Sequence, residues 1–387
     1  MQTSKIKILH ILHSVGGVDV SLRLILKSID SSRFDSIVIH GLNDTKEDFK
    51  SDKNERITAF QTSIERNISP IKDLKSLFFI IKTIKKEKPN LIHCHSAKGG
   101  ILGKLAASYT KTPCFHTPQA YSYLSAENKL KRKLFLGLEK FFSRLENKIL
   151  ASSISEQNRA ISEVGYSPKK VMVFSNSILP ISSISDLQIP RTWPDNYICS
   201  VGRPSFQKNI ELMLEVLAEI KKEKDDIHLV LMGVGFHSPN LERVKNNIKT
   251  LGLKSNITLL EWTNREDIFN IISNSQLYIS TARYEGLPYS VIESLALAKA
   301  CVVSDVDGNR DLIEDGKNGY VIISEKPISF SEKITYLLNN TALLKEFENY
   351  SKTKFDNEFN MNDNIKKLSN IYEKEITSHQ LNHSNYF

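Results

Sequence analysis

The stretch QLYISTARYEGLPYSVIESLALAKACVVSDV (276–306) holds two strand-like runs with a helix between them. QLYISTA (276–282) and ACVVSDV (300–306) are short apolar runs of strand length. Between them a tight turn, Glu285-Gly286-Leu287-Pro288, feeds a segment whose apolar Val291, Ile292, Leu295 and Ala296 recur at helical spacing. Pro288 reads as the first helical residue, where a missing N–H costs nothing. Strand, helix and strand in this order build a parallel sheet, with strands apolar on both faces. The helix start favours an anion, through its outward N–H groups and its dipole. Glu285 precedes the turn and Glu293 lies one turn into the helix, so both can face one ligand held there. Two glutamates at that spacing also occur on an ordinary surface helix, so the surrounding sequence must carry the case.

The same alternation runs through the whole chain. In the first half, strands are predicted at 5–12, 36–42, 90–96, 112–117, 147–153 and 171–176. In the second half they are predicted at 196–202, 228–235, 256–262, 276–282, 300–306 and 319–323. Helical stretches such as DLKSLFFIIKTIKKE and NIELMLEVLAEIKKEK lie between them. Two such sets predict an α/β protein of two Rossmann-like, doubly wound parallel-sheet domains. The boundary falls near ILPISSISDLQIPRTWPDN (178–196), rich in Ser, Pro and Ile without a helical period. The expected domains are 1–184 and 185–363, with a late helix at about 364–380 packing back on the first.

A chain of 387 residues is too long for one typical core, which agrees with two domains. The net charge of +8 suits nucleic acid, an anionic membrane or a phosphorylated substrate. No nucleic-acid motif accompanies it, so nucleic acid is not expected as a partner. Much of the charge lies in KLKRKLFLGLEKFFSRLENKIL (129–150), which reads as a basic amphipathic helix. Such a helix can lie on an anionic membrane surface or pack on a core with its basic face solvated. No apolar run is long enough to cross a bilayer. MQTSKIKILHIL reads as a strand rather than a signal peptide, so a cytoplasmic protein, peripheral on the inner membrane face, is expected. Cys94, Cys114, Cys199 and Cys301 sit mostly in strand-like runs and are expected as buried thiols.

Several motifs now stand in order. They are HSVGG (13–17), LIHCHSAKGGILGKLAA (91–107), HTPQAYSYL (116–124), GRPSFQKNIELML (202–214), the two-glutamate segment, and VVSDVDGNRDLIEDGKNGYVI (302–322). Together they resemble the bacterial retaining nucleotide-sugar glycosyltransferases of the GT-B type, family 4-like, in which two Rossmann-like domains face each other across a cleft. The resemblance covers nearly the whole chain and is strongest over 197–323. It implies a nucleotide-diphosphate sugar as donor and a glycan acceptor, here expected to be polyprenyl-diphosphate-linked, in assembly of O-antigen, capsule or exopolysaccharide. It implies no metal and no other cofactor.

The resemblance also assigns roles. Arg203 and Lys208 would meet the leaving diphosphate, a fork of donors and a point charge where negative charge grows. Glu285 would position the donor sugar and Glu293 would hold the ribose. The Gly286 and Leu287 amides and the Val291 N–H would contact sugar or phosphate, and Gly16 and Gly17 would let the backbone approach the ligand. His93-Cys94-His95 and Asp305-Val306-Asp307 look like metal-binding patterns, but each is read as part of, or the end of, a strand.

Four departures from the family's pattern are visible. Gln119 stands where a His is usual, and Gln cannot titrate; His116, three residues earlier, is the other acceptor-side candidate. Ser177 replaces a Gly. Ala298 stands where the helix after Glu293 usually ends in Gly, which predicts a longer helix or a reshaped cap. Asp311 replaces a Glu. Two competing readings remain, a sugar-nucleotide 2-epimerase of similar architecture and a non-catalytic sugar-nucleotide-binding protein.

Overall fold

The structure is a computed structural model that describes residues 5–384, apart from 66, 67, 127, 236, 237 and 262. The chain divides into two compact units. Unit 1 comprises Met1–Leu179 and Met361–Phe387, and unit 2 comprises Pro180–Asn360.

Unit 1 begins with β1 (Ile6–Ile11), α1 (Gly17–Ser28), β2 (Phe34–Gly41), β3 (Thr58–Thr62), α2 (Pro70–Glu87), β4 (Leu91–His95) and α3 (Ser96–Thr110). It continues with β5 (Cys114–Thr117), α4 (Lys129–Phe142), β6 (Lys148–Ala151), α5 (Ile154–Arg159) and β7 (Val171–Val173). The described strands form one sheet in the order β3-β2-β1-β4-β5-β6-β7, with every pairing parallel. The strand order reverses direction between β1 and β4. Loops leaving the carboxyl ends of those two strands therefore part, and the gap left there is where open α/β sheets take ligands. The sequence reading missed β3, whose residues TAFQT are half exposed at the sheet edge. An edge strand carries too weak an apolar signal to stand out.

Unit 2 contains β8 (Ile198–Val201), α6 (Ile210–Lys221), β9 (Leu229–Met232), α7 (Leu241–Thr250), β10 (Ile257–Leu260), α8 (Arg265–Asn274), β11 (Tyr278–Ser280) and α9 (Tyr289–Ala296). Then follow β12 (Cys301–Ser304), α10 (Asp307–Leu312), β13 (Gly319–Ile322), α11 (Pro327–Asn339) and α12 (Thr341–Lys354). The sheet order is β10-β9-β8-β11-β12-β13, again all parallel, with its reversal between β8 and β11. Its core joins Ile198, Leu229, Leu231, Ile279 and Val302 to Leu214, Leu217 and Phe330 from the helices.

The last helix, α13 (Met361–Ser384), returns to unit 1. Its apolar Met361, Ile365, Leu368, Tyr372 and Ile376 form one helical stripe against Ile8, Leu91, Phe115 and Leu150 of the sheet. The Tyr372 hydroxyl lies 2.6 Å from His93 Nδ1, and Asn364 Nδ2 donates to Ser177 Oγ at 2.6 Å. Ser177, one of the departures, thus ties the returning helix down.

Two local expectations are corrected. The segment 129–150 is not one helix: α4 stops at Phe142, and Lys148–Ala151 joins the sheet as β6. The helix after Glu293 is neither lengthened nor reshaped. It ends at Ala296, and Ala298 takes the left-handed position itself with φ 55°. Leu297 N donates to Glu293 O at 3.0 Å, and Lys299 N to Ser294 O at 2.8 Å, the bonds of a glycine-type cap. Surrounding structure holds it there. Lys299 Nζ donates to Ser275 O at 2.8 Å, and Ser351 Oγ donates to Lys299 O at 2.8 Å.

The four cysteines are free and buried. Among the described residues no helix is long and apolar enough to cross a membrane.

Candidate active site

In unit 2 the site forms where β8 and β11 part. The loop after β8 carries Arg203, Gln207 and Lys208; the loop after β11 carries Arg283, Tyr284 and Glu285. The two loops are latched together. Arg283 N donates to Gln207 O at 2.8 Å, and its Nη1 donates to Phe206 O at 2.8 Å. The Arg283 guanidinium also sits 4.5 Å from the Phe206 ring centroid. Thr281 Oγ1 donates to Asn209 O at 2.9 Å, fixing the left-handed residue that starts α6.

This latch places Lys208 against Glu285. Lys208 Nζ lies 2.7 Å from Glu285 Oε1, and Gln207 Nε2 donates to Oε2 at 3.3 Å. Gln207 Nε2 also reaches Tyr284 O at 3.3 Å. The Glu285 carboxylate is therefore aimed by two side chains of the facing loop. Gln207 was not singled out in the sequence; its place next to Lys208 was the available signal. Arg203 is exposed and makes no hydrogen bond to any described residue.

The turn after Glu285 is shaped from the other side by α10. A Cβ on Gly308 would lie 2.4 Å from Gly286 O and 2.8 Å from Leu287 Cα, so only glycine permits this approach. Gly308 N in turn donates to Glu285 O at 3.4 Å. Pro288 is the N-cap rather than the first helical residue, with φ −71°. The N–H expected of Val291 is already engaged: it donates to Pro288 O at 3.2 Å, as does the N–H of Ile292. Val291 is 1% exposed, so it packs beneath the helix start instead of offering a donor.

Glu293 lies on α9 and pairs with Arg265 of α8, 2.7 Å from Oε1. Burial raises its carboxyl above the ordinary value, and the Arg265 charge opposes that rise. The Arg265 guanidinium rests 5.3 Å from the Phe269 ring centroid. Arg265 is a second residue that the linear sequence did not flag, because nothing in spacing links it to Glu293. Asp305 and Asp307, the D-x-D pair, both face one cation: Arg310 contacts Asp305 at 2.7 Å and Asp307 at 2.6 Å.

In unit 1, Gly16 caps α1 with φ 62° and ψ −133°, a backbone that favours glycine, and among the described residues no atom beyond its chain neighbours stands within 4 Å of where its Cβ would be. Gly17 opens the helix. His116 is buried, with Nε2 3.1 Å from Ser96 O. Gln119 and Ala120 both adopt left-handed conformations, φ 54° and 73°. Ala120 N donates to Glu156 Oε1 at 2.8 Å, which anchors this strained turn, while both polar atoms of the Gln119 amide are buried without a partner among the described residues. His93 and His95 share a face with His10 of β1, which register places opposite His93. The His10 Nδ1 to His95 Nε2 distance is 3.1 Å, and both nitrogens of His93 are engaged, by the Tyr372 hydroxyl and by Thr117 Oγ1 at 2.8 Å. Burial drives the His10 imidazole down to about 3, and holds His93, His95 and His116 well below their ordinary value.

Two family models account for most of the chain. Residues 15–179 match Glycosyltransferase Family 4, and residues 188–354 match Glycosyl transferases group 1. This chain is a GT-B glycosyltransferase. It is 28% identical over 384 residues to the UDP-Gal:alpha-D-GlcNAc-diphosphoundecaprenol alpha-1,3-galactosyltransferase of Escherichia coli, covering 95% of this chain and 97% of that one. It is 22% identical to the capsular polysaccharide biosynthesis glycosyltransferase CapM of Staphylococcus aureus, covering 92% and 94%. Among solved structures, the glycosyltransferase shares its fold with sucrose-phosphate synthase from Thermosynechococcus elongatus, at TM-score 0.80 and 14% identity over 97% of this chain and 100% of that one. Anabaena HepE in complex with UDP and glucose superposes at TM-score 0.78, with 16% identity over 96% and 100%.

Proposed function

We propose that this glycosyltransferase moves a sugar, with its anomeric configuration retained, from a nucleotide-diphosphate sugar to a polyprenyl-diphosphate-linked glycan, in assembly of a cell-surface polysaccharide such as O-antigen or capsule. The observation that carries the donor half is the Lys208–Glu285 pair, set at the sheet reversal beside the exposed Arg203. Arg203 and Lys208 meet the charge that grows on the leaving diphosphate. Glu285, aimed by Gln207 and Lys208, receives the donor sugar and steadies positive charge at its ring. Glu293, braced by Arg265, accepts hydrogen bonds from the ribose hydroxyls. The Gly286 and Leu287 amides and the Gly16-Gly17 turn complete the donor contacts. No metal is assigned a part, since these two cations supply the charge.

The acceptor half is supported by the E. coli relative, whose name specifies a diphosphoundecaprenol-linked sugar and whose similarity spans nearly the full chain. It is supported also by α4. Leu130, Leu134 and Phe141 are 76%, 59% and 59% exposed on one face of this helix, flanked by Lys129, Lys133 and Lys140, while Glu139 is buried on the opposite face. That arrangement suits an anionic membrane surface, where a lipid-linked acceptor resides.

The test begins with thermal-shift screening against UDP-, GDP-, ADP- and dTDP-sugars, since bound donor raises apparent stability. The stabilising donor is then incubated with a polyprenyl-diphosphate-linked GlcNAc, and the product's anomeric configuration is read by NMR. Isomerisation of UDP-N-acetylglucosamine without acceptor identifies an epimerase instead, and donor binding with no turnover identifies a binding protein.

A further inference from the structure

Helix α2 turns an apolar stripe to solvent that has no part in the roles above. Ile71, Leu74 and Phe78 are 74%, 54% and 64% exposed, and they recur at helical spacing on one arc. Lys75, Lys82 and Lys85, also exposed, continue that arc toward the end of the helix. The opposite arc is the one that packs: Ile80 and Ile84 join Leu9, Ile39 and Ile92 in the core of unit 1. Charge is sorted in the same way. Both acids of α2 lie off the exposed arc and are matched. Lys98 Nζ reaches Asp73 Oδ2 at 2.6 Å, and Glu87 sits 3.6 Å from Lys7 Nζ and 3.7 Å from Lys86 Nζ. Lys75 and Lys82 have no ion-pair partner among the described residues. Lys85 Nζ lies 5.0 Å from the ring centroid of Tyr109 on α3, itself exposed.

The stripe lies on the same side of the sheet as α4. Along β1, Leu9 joins the core beneath α2, while its neighbour Ile8 joins the one beneath α13. Along β6, Ile149 meets Phe135 and Leu136 of α4, while its neighbour Leu150 joins the core beneath α13. Both helices thus lie opposite α13, and each turns an arc of apolar and basic residues away from the sheet. A second copy of this chain would set lysine against lysine across the stripe, a like-charge contact that disfavours pairing. An anionic bilayer accepts both parts of the pattern. Apolar side chains enter the acyl boundary, and lysines extend from it to the lipid phosphates.

We propose that α2 is a second membrane-binding helix, docking together with α4 on an anionic lipid bilayer; the proposal rests on the membrane reading of α4 given above. Two helices of one compact unit meet one surface, so once the first is bound the second contact forms at high local lipid concentration. Neither contact then needs to be tight alone, and loss of either weakens the whole.

The test uses the full chain in flotation with vesicles of phosphatidylcholine, alone or with phosphatidylglycerol added. One variant combines Ile71→Ser, Leu74→Ser and Phe78→Ser; another combines Lys75→Gln and Lys82→Gln. Each is expected to lower partitioning onto the anionic vesicles by roughly 10-fold or more, with the thermal midpoint kept because the changed side chains are exposed. The lysine variant should also flatten the salt dependence of binding. A polarity-sensitive dye attached to the Phe78→Cys variant should shift to the blue on the anionic vesicles; the four native cysteines are buried. Wild-type partitioning in both α2 variants overturns the proposal. If the variant with Lys131, Arg132 and Lys133 changed to Glu also binds as wild type, the membrane reading of α4 falls with it. A dimer in sedimentation velocity that the Ile71, Leu74 and Phe78 changes disperse, with vesicle binding unaltered, makes a second copy the occupant and equally overturns it. Transfer to a water-soluble short-chain acceptor is measured separately and should be the same in every α2 variant. No turnover there in wild type is a failure of the transferase reading alone.

Discussion

Lowering the pH from 7.5 to 5.5 should unfold unit 1 before unit 2. His10, His93, His95 and His116 are at most 1% exposed on three strands of one sheet, and burial keeps all four neutral. An unfolded chain protonates histidine near pH 6.5, whereas folded His10 waits until about 3. Below 6.5 the unfolded state therefore binds more protons, and stability falls as pH falls. The loss is complete only when the folded values are passed. Each such histidine costs about 1.4 kcal/mol per pH unit in that window. Four of them, between pH 6.5 and 5.5, cost about 5 kcal/mol, comparable with the 5–15 kcal/mol that holds a domain together. Neither of the two tryptophans in the sequence falls within Met1–Leu179 or Met361–Phe387, the ranges of unit 1, so tryptophan fluorescence does not report on this event. Hydrogen exchange read by mass spectrometry is the suitable assay. Amides of β1, β4 and β5 should lose protection at pH 5.5, after correction for the intrinsic exchange rate, while those of β8 and β11 keep theirs. Equal protection of the two sheets at pH 5.5 would refute the argument, because it would mean that the histidines protonate in place without cost.

Three further outcomes are expected. Glu285→Ala should abolish transfer with the thermal midpoint preserved, whereas Glu293→Ala should chiefly weaken nucleotide binding by calorimetry; wild-type turnover in the Glu285 variant contradicts its assignment. Ala298→Gly should stabilise unit 2 by about 1 kcal/mol, a rise of about 2–4 °C in its midpoint, by relieving a left-handed alanine; an unchanged or lowered midpoint would show that the entropy glycine adds to the unfolded chain cancels the relief. Changing Lys131, Arg132 and Lys133 together to Glu should release the protein from anionic vesicles in a flotation assay, and retained binding would remove α4 from the membrane contact.

Twelve of the predicted strands appear, because strands buried on both faces of parallel sheets write continuous apolar runs into the sequence. The edge strand β3 does not, being half exposed. In the site, the tight turn and its two glutamates were legible from local order, since a strand, a turn and a helix are contiguous. Gln207 and Arg265 were not, because each acts on a carboxylate far away in the sequence. The same holds for His10, which meets His93 only through strand register.

By itself, then, the sequence determined the two-domain α/β architecture, the order of the motifs and the glutamates of the turn, all written in short-range periodicity. Only the tertiary structure decided how those groups are partnered. It closed Lys208 on Glu285, set Arg265 against Glu293 and gave both acids of the D-x-D to Arg310. It also spent the Val291 N–H inside the turn and let Ala298 occupy a glycine position. The physical reason is common to all of these: hydrogen bonds and ion pairs act over about 3 Å in space, and parallel crossovers bring such neighbours together from distant parts of the chain.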